Sequence, residues 1–240
     1  LIVLETSAIT WPAGASMPFM IGFSKDEFIP DLQSLTQRIH QHGAKIAAQL
    51  NHSGKIAQED TIAGRPIPVP SIPKSEPSDM FGLLTQEEIM TFIKAGGPDG
   101  KGPRYHELTV EEIRIEVQNF VEAAKRAKAS NFDAIEIHAG HGYLISSFLS
   151  PAINKRTDAY GGSTEKRAQL LIEIISEVKK QIENPIKGNL IIAKGLKTND
   201  VWHKYTLESF KEKFNNEEVV VTFISDYQLQ EDLAKEQLRA

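Results

Sequence analysis

The sequence contains no cysteine. This absence excludes disulfides, a thiolate nucleophile and an iron–sulfur cluster ligated by this chain, and it fits a reducing, cytoplasmic location. No apolar run approaches the roughly 18 residues of a membrane span, so we expect no membrane partner. Acidic residues outnumber basic ones, which gives a net charge of −5, and the sequence has no basic cluster. A nucleic-acid partner is therefore not expected.

The composition that remains is that of a globular protein. Hydrophobic residues make up 40% and charged residues 25% of a chain of 240 residues, and both values are ordinary for a folded domain. The length suits one (β/α) barrel, which typically needs about 250 residues. The chain opens with Leu-Ile-Val-Leu-Glu-Thr, without an initiator Met or a signal-peptide pattern. We interpret this opening as a start within a strand, and hence as a fragment.

Strand and helix signals alternate along the chain. Helical spacing of apolar residues predicts helices over 25–41, from Thr109 to about 130, and from about 164 to 183, with shorter ones at 85–94 and 206–214. The proline-rich stretch 61–78 is interpreted as an extended surface segment. Short apolar runs predict strands at 1–4, 45–50, 132–137, 189–194 and 219–224. Strands that alternate with helices are typical of a parallel α/β sheet.

One stretch carries the clearest chemical signal. The apolar run at 132–137 leads into His138, and His141 and Tyr143 follow within six residues, with a glycine on each side of His141. In parallel α/β folds, sites are built at the carboxyl ends of strands. Two imidazole N–H groups can hold one oxygen that becomes negative during a reaction, and a nearby phenol can supply a proton. We therefore predict that these three side chains are catalytic.

Two other interpretations of the histidines stay open on these residues alone. Glu136, His138 and His141 offer the atoms of a metal site, although two histidines on a loop are a weak ligand signal. The second alternative is a pair of histidines that is packed for structural reasons. Neither alternative accounts for the motifs that follow in the chain.

Those motifs occur in a fixed order after the strand. His-Ala-Gly-His-Gly-Tyr-Leu at 138–144 is followed by Phe-Leu-Ser-Pro at 148–151, Asn-Lys-Arg-Thr-Asp at 154–158 and Tyr-Gly-Gly-Ser at 160–163. In this order they resemble the old yellow enzyme family of flavin-dependent ene reductases. The resemblance extends over roughly residues 1–200.

The resemblance implies a (β/α)8 TIM barrel with FMN at its C-terminal mouth. The chain carries fewer strand signals than eight, and the first strand and the last strands, with their phosphate-binding loops, are missing from the pattern. We therefore expect a single partial FMN-binding (β/α) barrel domain over 1–240. Within it, residues 201–240 form a divergent C-terminal segment in which the resemblance fades.

The resemblance also implies cofactor-binding positions. The backbone at Thr6 would meet the flavin ring, and the Gln49 carboxamide would bind the edge of the flavin pyrimidine. A cation near the flavin would stabilise the charge that develops on reduction, and Lys194 and Lys197 compete for that role. On the following loop, His52 and Lys55 are interpreted as solvated side chains, with a place at the mouth of the site as the alternative.

The implied activity is an FMN-dependent oxidoreductase of the ene-reductase type. NAD(P)H would reduce the flavin, and the C=C bond of a small α,β-unsaturated carbonyl compound would then be reduced. His138 and His141 would hold the carbonyl oxygen and Tyr143 would protonate carbon. The alternative is a non-catalytic, truncated remnant of such an enzyme. A homo-oligomer remains open.

Overall fold

The computed structural model describes residues 1–74, 84–181, 190–195 and 219–224, and the last two ranges and residues 92–94 are described through their backbone alone. The strands are β1 (Ile2–Val3), β2 (Ser7–Ala8), β3 (Ile46–Asn51), β4 (Pro66–Val69), β5 (Arg104–Glu107), β6 (Ala134–His138), β7 (Leu190–Gly195) and β8 (Val219–Ile224). The helices are α1 (Ile29–Gln41), α2 (Gln58–Ala63), α3 (Gln86–Ala95), α4 (Val110–Ala129), α5 (Leu144–Leu149) and α6 (Thr164–Gln181), with short 3₁₀ turns at Asp26–Phe28 and Gly54–Ile56.

The main sheet is parallel and follows the order β1-β3-β6-β7-β8, with β2 also paired to β3. In the register, Gln49 lies opposite Glu136 and His138 lies opposite Ala193. The predicted parallel sheet is therefore confirmed, and each of the five predicted strands lies within one or two residues of an observed one. Parallel pairing requires crossovers, and described helices lie between β1 and β3, between β3 and β6, and between β6 and β7.

The two faces of the sheet differ in polarity because side chains alternate along a strand. Ile46, Ala48 and Leu50 of β3, with Ile135 and Ile137 of β6, belong to the apolar core that includes α4 and α6. The intervening residues lie on the opposite, inner face. These inner-face residues at the carboxyl ends of the strands are polar: Gln49, Asn51, Glu136 and His138.

Helix α4 shows how the sequence sets the start of an element. The Thr109 hydroxyl accepts a hydrogen bond from the Glu112 backbone N–H, and the Glu112 carboxylate accepts one from the Thr109 backbone N–H. This reciprocal capping satisfies two N–H groups that the helix leaves without an intrahelical partner. Val117 and Phe120 are buried on the face that packs on the sheet. The predicted helix start is confirmed.

Strand β1 differs from its sequence prediction. The apolar composition of the run 1–4 is typical of a buried strand, yet Ile2 is 45% exposed and Val3 is 43% exposed. Within the described residues β1 pairs only with β3, so it forms an edge of the sheet. This edge position leaves β1 exposed although its residues are apolar.

The proline-rich segment also differs from its prediction as a surface segment. Strand β4 lies within it and pairs in parallel with β5 in a second, two-stranded sheet. Ile67 and Val69 are completely buried, whereas the alternating Pro66 and Pro68 are exposed and half-buried. Proline is tolerated in an edge strand, where its missing N–H is not needed. Because the buried Ile67 and Val69 alternate with prolines, the sequence pattern did not indicate a strand here.

Some predictions concern residues beyond the described ranges. The predicted helix at 206–214, most of the segment 201–240 and Lys197 lie outside the described residues. The helices predicted at 85–94 and from 164 are confirmed as α3 and α6. No helix in the described part of the chain combines the length and apolar character needed to cross a membrane.

Gly54 links the loop after β3 to the start of α5. Its φ is +52°, and a Cβ there would lie 2.8 Å from the Leu144 backbone. We expect Gly54→Ala to lower the free energy of unfolding by about 3 kcal/mol, because a backbone clash adds to the left-handed strain. Gly43→Ala is the matched control, since φ is +71° there but nothing lies within 4 Å. It should lose only about 1 kcal/mol. Equal losses in urea denaturation would contradict the proposed clash.

Candidate functional site

A tight turn returns the chain directly over the end of β6. The Gly140 backbone N–H donates to His138 Nδ1 at 3.2 Å, and the Tyr143 N–H donates to the Gly140 carbonyl at 3.2 Å. His141 has a φ of +55° and Gly142 a φ of +74°. Positive φ is unusual for a residue other than glycine, and it marks a position that the surrounding structure holds in place.

The turn brings the two imidazoles and the phenol together. His138 Nε2 lies 3.0 Å from His141 Nδ1, and their ring centroids are 4.9 Å apart. The Tyr143 ring centroid lies 5.0 Å from that of His138 and 6.3 Å from that of His141. All three pairs of rings meet edge to face. The structure thus groups the three side chains, and their catalytic role stays a prediction.

The hydrogen bonds define the proton positions on the two rings. His138 Nδ1 accepts from the Gly140 N–H, so the ring proton of a neutral His138 lies on Nε2 and is donated to His141 Nδ1. His141 then carries its proton on Nε2. One imidazole donor is therefore available at once. The His138 donor becomes available when a ligand oxygen replaces His141 Nδ1 as its acceptor.

His138 is held in the neutral form. Its side chain is only 3% exposed. Burial, and then the positive charge that His141 can carry, lower the pKa of the His138 imidazole from 6.5 to about 4. At neutral pH His138 is consequently a neutral N–H donor rather than an acid.

This lowered pKa predicts a pH dependence of stability. Between about pH 6.5 and pH 4 the unfolded chain takes up a proton that folded His138 does not, so stability falls as the pH falls. The loss amounts to about 3 kcal/mol. Urea denaturation from pH 8 to pH 4 should show this fall in the wild type relative to His138→Asn. The exposed His42 serves as the control, since His42→Asn should keep the wild-type slope. A constant difference between wild type and His138→Asn would refute the assignment.

A second set of polar side chains connects the segment between β1 and β2 with strands β3 and β6. The Thr6 hydroxyl donates to Gln49 Oε1, and Gln49 Nε2 donates to Glu136 Oε1 at 3.1 Å. Glu136 is buried, and burial raises the pKa of its carboxyl, with the hydrogen bond from Gln49 opposing part of the shift. In the sequence, Glu136 is a candidate only for a metal site. The signal for its real partner was the strand register, which places it opposite Gln49.

The inner face fits the polar edge of a flavin. Gln49 is half-buried at the carboxyl end of β3. Beyond its bonds with Thr6 and Glu136, its carboxamide keeps a second lone pair on oxygen and a second N–H for a ligand. Two residues further along the same face, Asn51 Oδ1 is buried without a hydrogen-bond partner among the described residues. Buried acceptors are normally satisfied, so this atom is suited to a donor from a ligand or a water. Thr6, Gln49 and Asn51 would hold the cofactor from the inner face of the main sheet.

The lysine candidates are less well defined. Lys194 lies on β7 directly after Ala193, which pairs with His138. Its position is therefore near the group of rings along the sheet, and its proposed role toward the flavin stays a prediction. Lys197 lies outside the described residues.

The loop after β3 does not match its solvated interpretation. His52 is 4% exposed, and its ring lies under Gly14, where a Cβ would come within 2.6 Å of His52 Nε2. His52 Nδ1 accepts from the Gly54 N–H at 3.0 Å. The solvated interpretation was wrong for His52, because its neighbours along the sequence gave no sign of the Gly14 loop above it. Lys55 is half-buried and lies beside Gly142.

The later motifs have structural contacts. Arg156 donates to the carbonyls of Pro70 and Leu108 and pairs with Asp158 at 2.6 Å. Arg167 donates to the Leu149 carbonyl at 2.9 Å. These bonds tie the loop after α5 to the second sheet and to α6. In the described part of the chain, no group of three or more His, Asp or Glu side chains is placed to hold a metal ion.

Comparison with known proteins identifies the family. Residues 1–219 match the NADH:flavin oxidoreductase / NADH oxidase family, which uses FMN with NAD(P)H as the reductant. An NADPH dehydrogenase of Halalkalibacterium halodurans is 41% identical over 186 residues, which is 78% of this chain and 46% of the relative. An NADH oxidase of Thermoanaerobacter brockii is 35% identical over 182 residues, which is 76% of this chain and 24% of the relative. The chain thus spans about half or less of the length of these relatives.

Solved structures show the same fold. An old yellow enzyme homologue from Zymomonas mobilis has a TM-score of 0.70 at 21% identity, covering 93% of this chain and 59% of that one. Morphinone reductase in complex with tetrahydroNAD has a TM-score of 0.68 at 26% identity, covering 88% and 58%. These neighbours are TIM barrels, and the predicted fold class and resemblance are confirmed. The chain belongs to the NADH:flavin oxidoreductase / NADH oxidase family of oxidoreductases.

Proposed function

We propose that this chain carries the active-site face of an FMN-dependent ene reductase that acts on α,β-unsaturated carbonyl compounds. The observation that carries the proposal is the group formed by His138, His141 and Tyr143. Their rings lie within 4.9 to 6.3 Å of one another at the carboxyl end of β6. Gln49 lies on the neighbouring strand, on the inner face that would support a flavin.

The two imidazoles bind and polarise the substrate carbonyl. The carbonyl oxygen accepts N–H bonds from His138 Nε2 and His141, and these bonds strengthen as the oxygen gains enolate character. His138 suits this role because its low pKa keeps the imidazole neutral, so its proton stays on the ring during the reaction. Buried, preorganised donors of this kind stabilise a developing oxyanion far more than water does.

The phenol completes the addition. Bound FMN supplies the hydride chemistry, with NAD(P)H as the reductant. Tyr143 donates its proton to the α-carbon while the imidazoles hold the enolate oxygen. Thr6 and Gln49 would hold the pyrimidine edge of the flavin, and Lys194 would offset the negative charge of the reduced flavin.

The proposal is tested with the purified chain and FMN. After gel filtration, flavin absorbance should co-elute with the protein, and NADPH oxidation should accelerate when 2-cyclohexenone is added. Cyclohexanone is the control, because it has the carbonyl group but no C=C bond and should not accelerate oxidation. Retained flavin without a response to the enone would reject the substrate class. Failure to retain flavin would reject autonomous activity of this chain.

A further inference from the structure

A cavity of about 500 Å³ lies beside the group of rings, between the 3₁₀ turn 54–56 with α2 on one side and the glycine-rich loop 95–103 on the other. This volume lies within the range of about 300–1,000 Å³ that small-molecule sites occupy. Its walls combine apolar and polar groups, including Ile56, Gln58, Thr61 and Pro103, with Lys55 and Lys101. Among the described residues, no carboxylate lines it.

Lys55 joins this cavity to the proposed active site. Its Cε lies 3.6 Å from the position that a Cβ on Gly142 would take. Gly142 stands between His141 and Tyr143, so the Lys55 side chain forms a wall shared by the cavity and the turn that carries the rings. The turn 54–56 is fixed there, because the His52 carbonyl accepts the Leu144 N–H at 3.0 Å.

The charges in the cavity have the properties of an anion site. The half-buried Lys55 ammonium has no hydrogen bond or ion pair with any described residue. Lys101 lies on the opposite wall, and its Nζ is 3.7 Å from Asp99 Oδ2, a carboxylate that also binds Arg104 at 3.2 Å. Two lysines therefore line one cavity. The Lys101 side chain is 81% exposed and shares Asp99 with Arg104, whereas the Lys55 ammonium is uncompensated among the described residues.

The loop 95–103, which carries Lys101, is held by its own backbone hydrogen bonds. Gly97, Gly100 and Gly102 all have positive φ, and the Gly102 N–H donates to the Gly96 carbonyl at 2.8 Å. Arg104 donates to the Gly64 carbonyl at 3.2 Å, which joins this loop to the end of α2. The two walls are thus linked independently of any ligand.

We propose that this cavity is a phosphate subsite that holds the nucleotide tail of a ligand whose reacting end lies at the three rings. The inference rests on the proposed function, which requires a reductant with phosphates and a substrate to reach the same rings. Lysine ammonium groups bind phosphate as point charges, and the absence of a carboxylate among the lining residues avoids repulsion. The phosphate belongs either to the reducing dinucleotide or to a nucleotide-bearing substrate, since the recognising chemistry is shared.

The test uses calorimetric titration of the purified chain with adenosine 2′,5′-bisphosphate, adenosine 3′,5′-bisphosphate and adenosine. We expect at least one bisphosphate to bind and adenosine to bind much more weakly. Lys55→Gln/Lys101→Gln should weaken binding of the bisphosphate by about tenfold or more, since charge-assisted hydrogen bonds are lost. Lys179→Gln/Lys180→Gln removes the same charge from the far end of α6 and should have no effect.

The same titrations identify the source of the phosphate and test whether the two lysines are responsible for binding it. Preference for the 2′-phosphate assigns the subsite to the reductant, and preference for the 3′-phosphate assigns it to the substrate. No bisphosphate binding, or equal affinity in wild type and Lys55→Gln/Lys101→Gln, overturns the subsite. Flavin retention is scored on the same preparations. Bisphosphate binding without flavin retention supports the subsite while rejecting the proposed activity.

Discussion

Replacing His138 and His141 together by alanine is expected to lower kcat/KM for enone reduction by about 10³- to 10⁴-fold while FMN remains bound. One donor to an oxyanion contributes about 10²- to 10³-fold, and two donors that act on one oxygen are not additive. The effect should fall on the reaction with the enone, because the proposed function places the imidazoles in contact with the carbonyl oxygen. The same proposal assigns binding of the flavin to the face formed by Thr6 and Gln49.

Two controls accompany the double variant. His42→Ala removes an exposed imidazole at the end of α1 and should retain wild-type kcat/KM. His138→Asn/His141→Asn restores N–H donors and should recover part of the lost activity. Circular dichroism checks that each variant is folded, since His138 is buried. A loss of less than tenfold in the folded double alanine variant would contradict the role assigned to the imidazoles.

Tyr143→Phe is expected to slow the second half-reaction, in which the enone reoxidises the flavin, by about 10²- to 10⁴-fold. In the proposed reaction the Tyr143 phenol supplies the proton to carbon, and phenylalanine keeps the ring but not the proton. Reduction of the flavin by NADPH requires no such proton and should proceed at the wild-type rate. The two half-reactions therefore separate a proton donor from a residue that merely shapes the site.

Stopped-flow absorbance of the flavin measures both half-reactions in one preparation. Tyr105→Phe is the matched control, because Tyr105 is a half-buried tyrosine on β5. It should leave both rates unchanged. Equal slowing of the two half-reactions in Tyr143→Phe would indicate a distorted site, and unchanged rates would exclude Tyr143 as the proton donor.

Local patterns predicted most of the main sheet but not its surroundings. The apolar runs at 46–51 and 134–138 are buried strands because helices cover one face and polar side chains line the other. The same kind of run at the start of the chain is exposed, because β1 lies at an edge of the described sheet. Strands β4 and β5 pair across about 35 intervening residues, and the prolines in β4 argued against a strand.

The site shows the same division between local and long-range information. His138, His141 and Tyr143 are close in the sequence, so the turn could be predicted to group them. The bond between Gln49 and Glu136 depends on the register of two strands 87 residues apart, and no local pattern carries that register. The cavity beside Gly142 likewise depends on a glycine-rich loop that reaches Lys55 only in the folded chain.

The most direct test of the account is the structure of the FMN-loaded chain with cyclohexanone, an unreactive mimic of the substrate carbonyl. We predict the ketone oxygen within about 3 Å of His138 Nε2 and of a His141 ring nitrogen. The ketone should lie between these imidazoles and the flavin, with the Tyr143 hydroxyl above its α-carbon and Gln49 at the pyrimidine edge. A flavin bound away from Gln49, or a ketone oxygen that contacts neither imidazole, would contradict it.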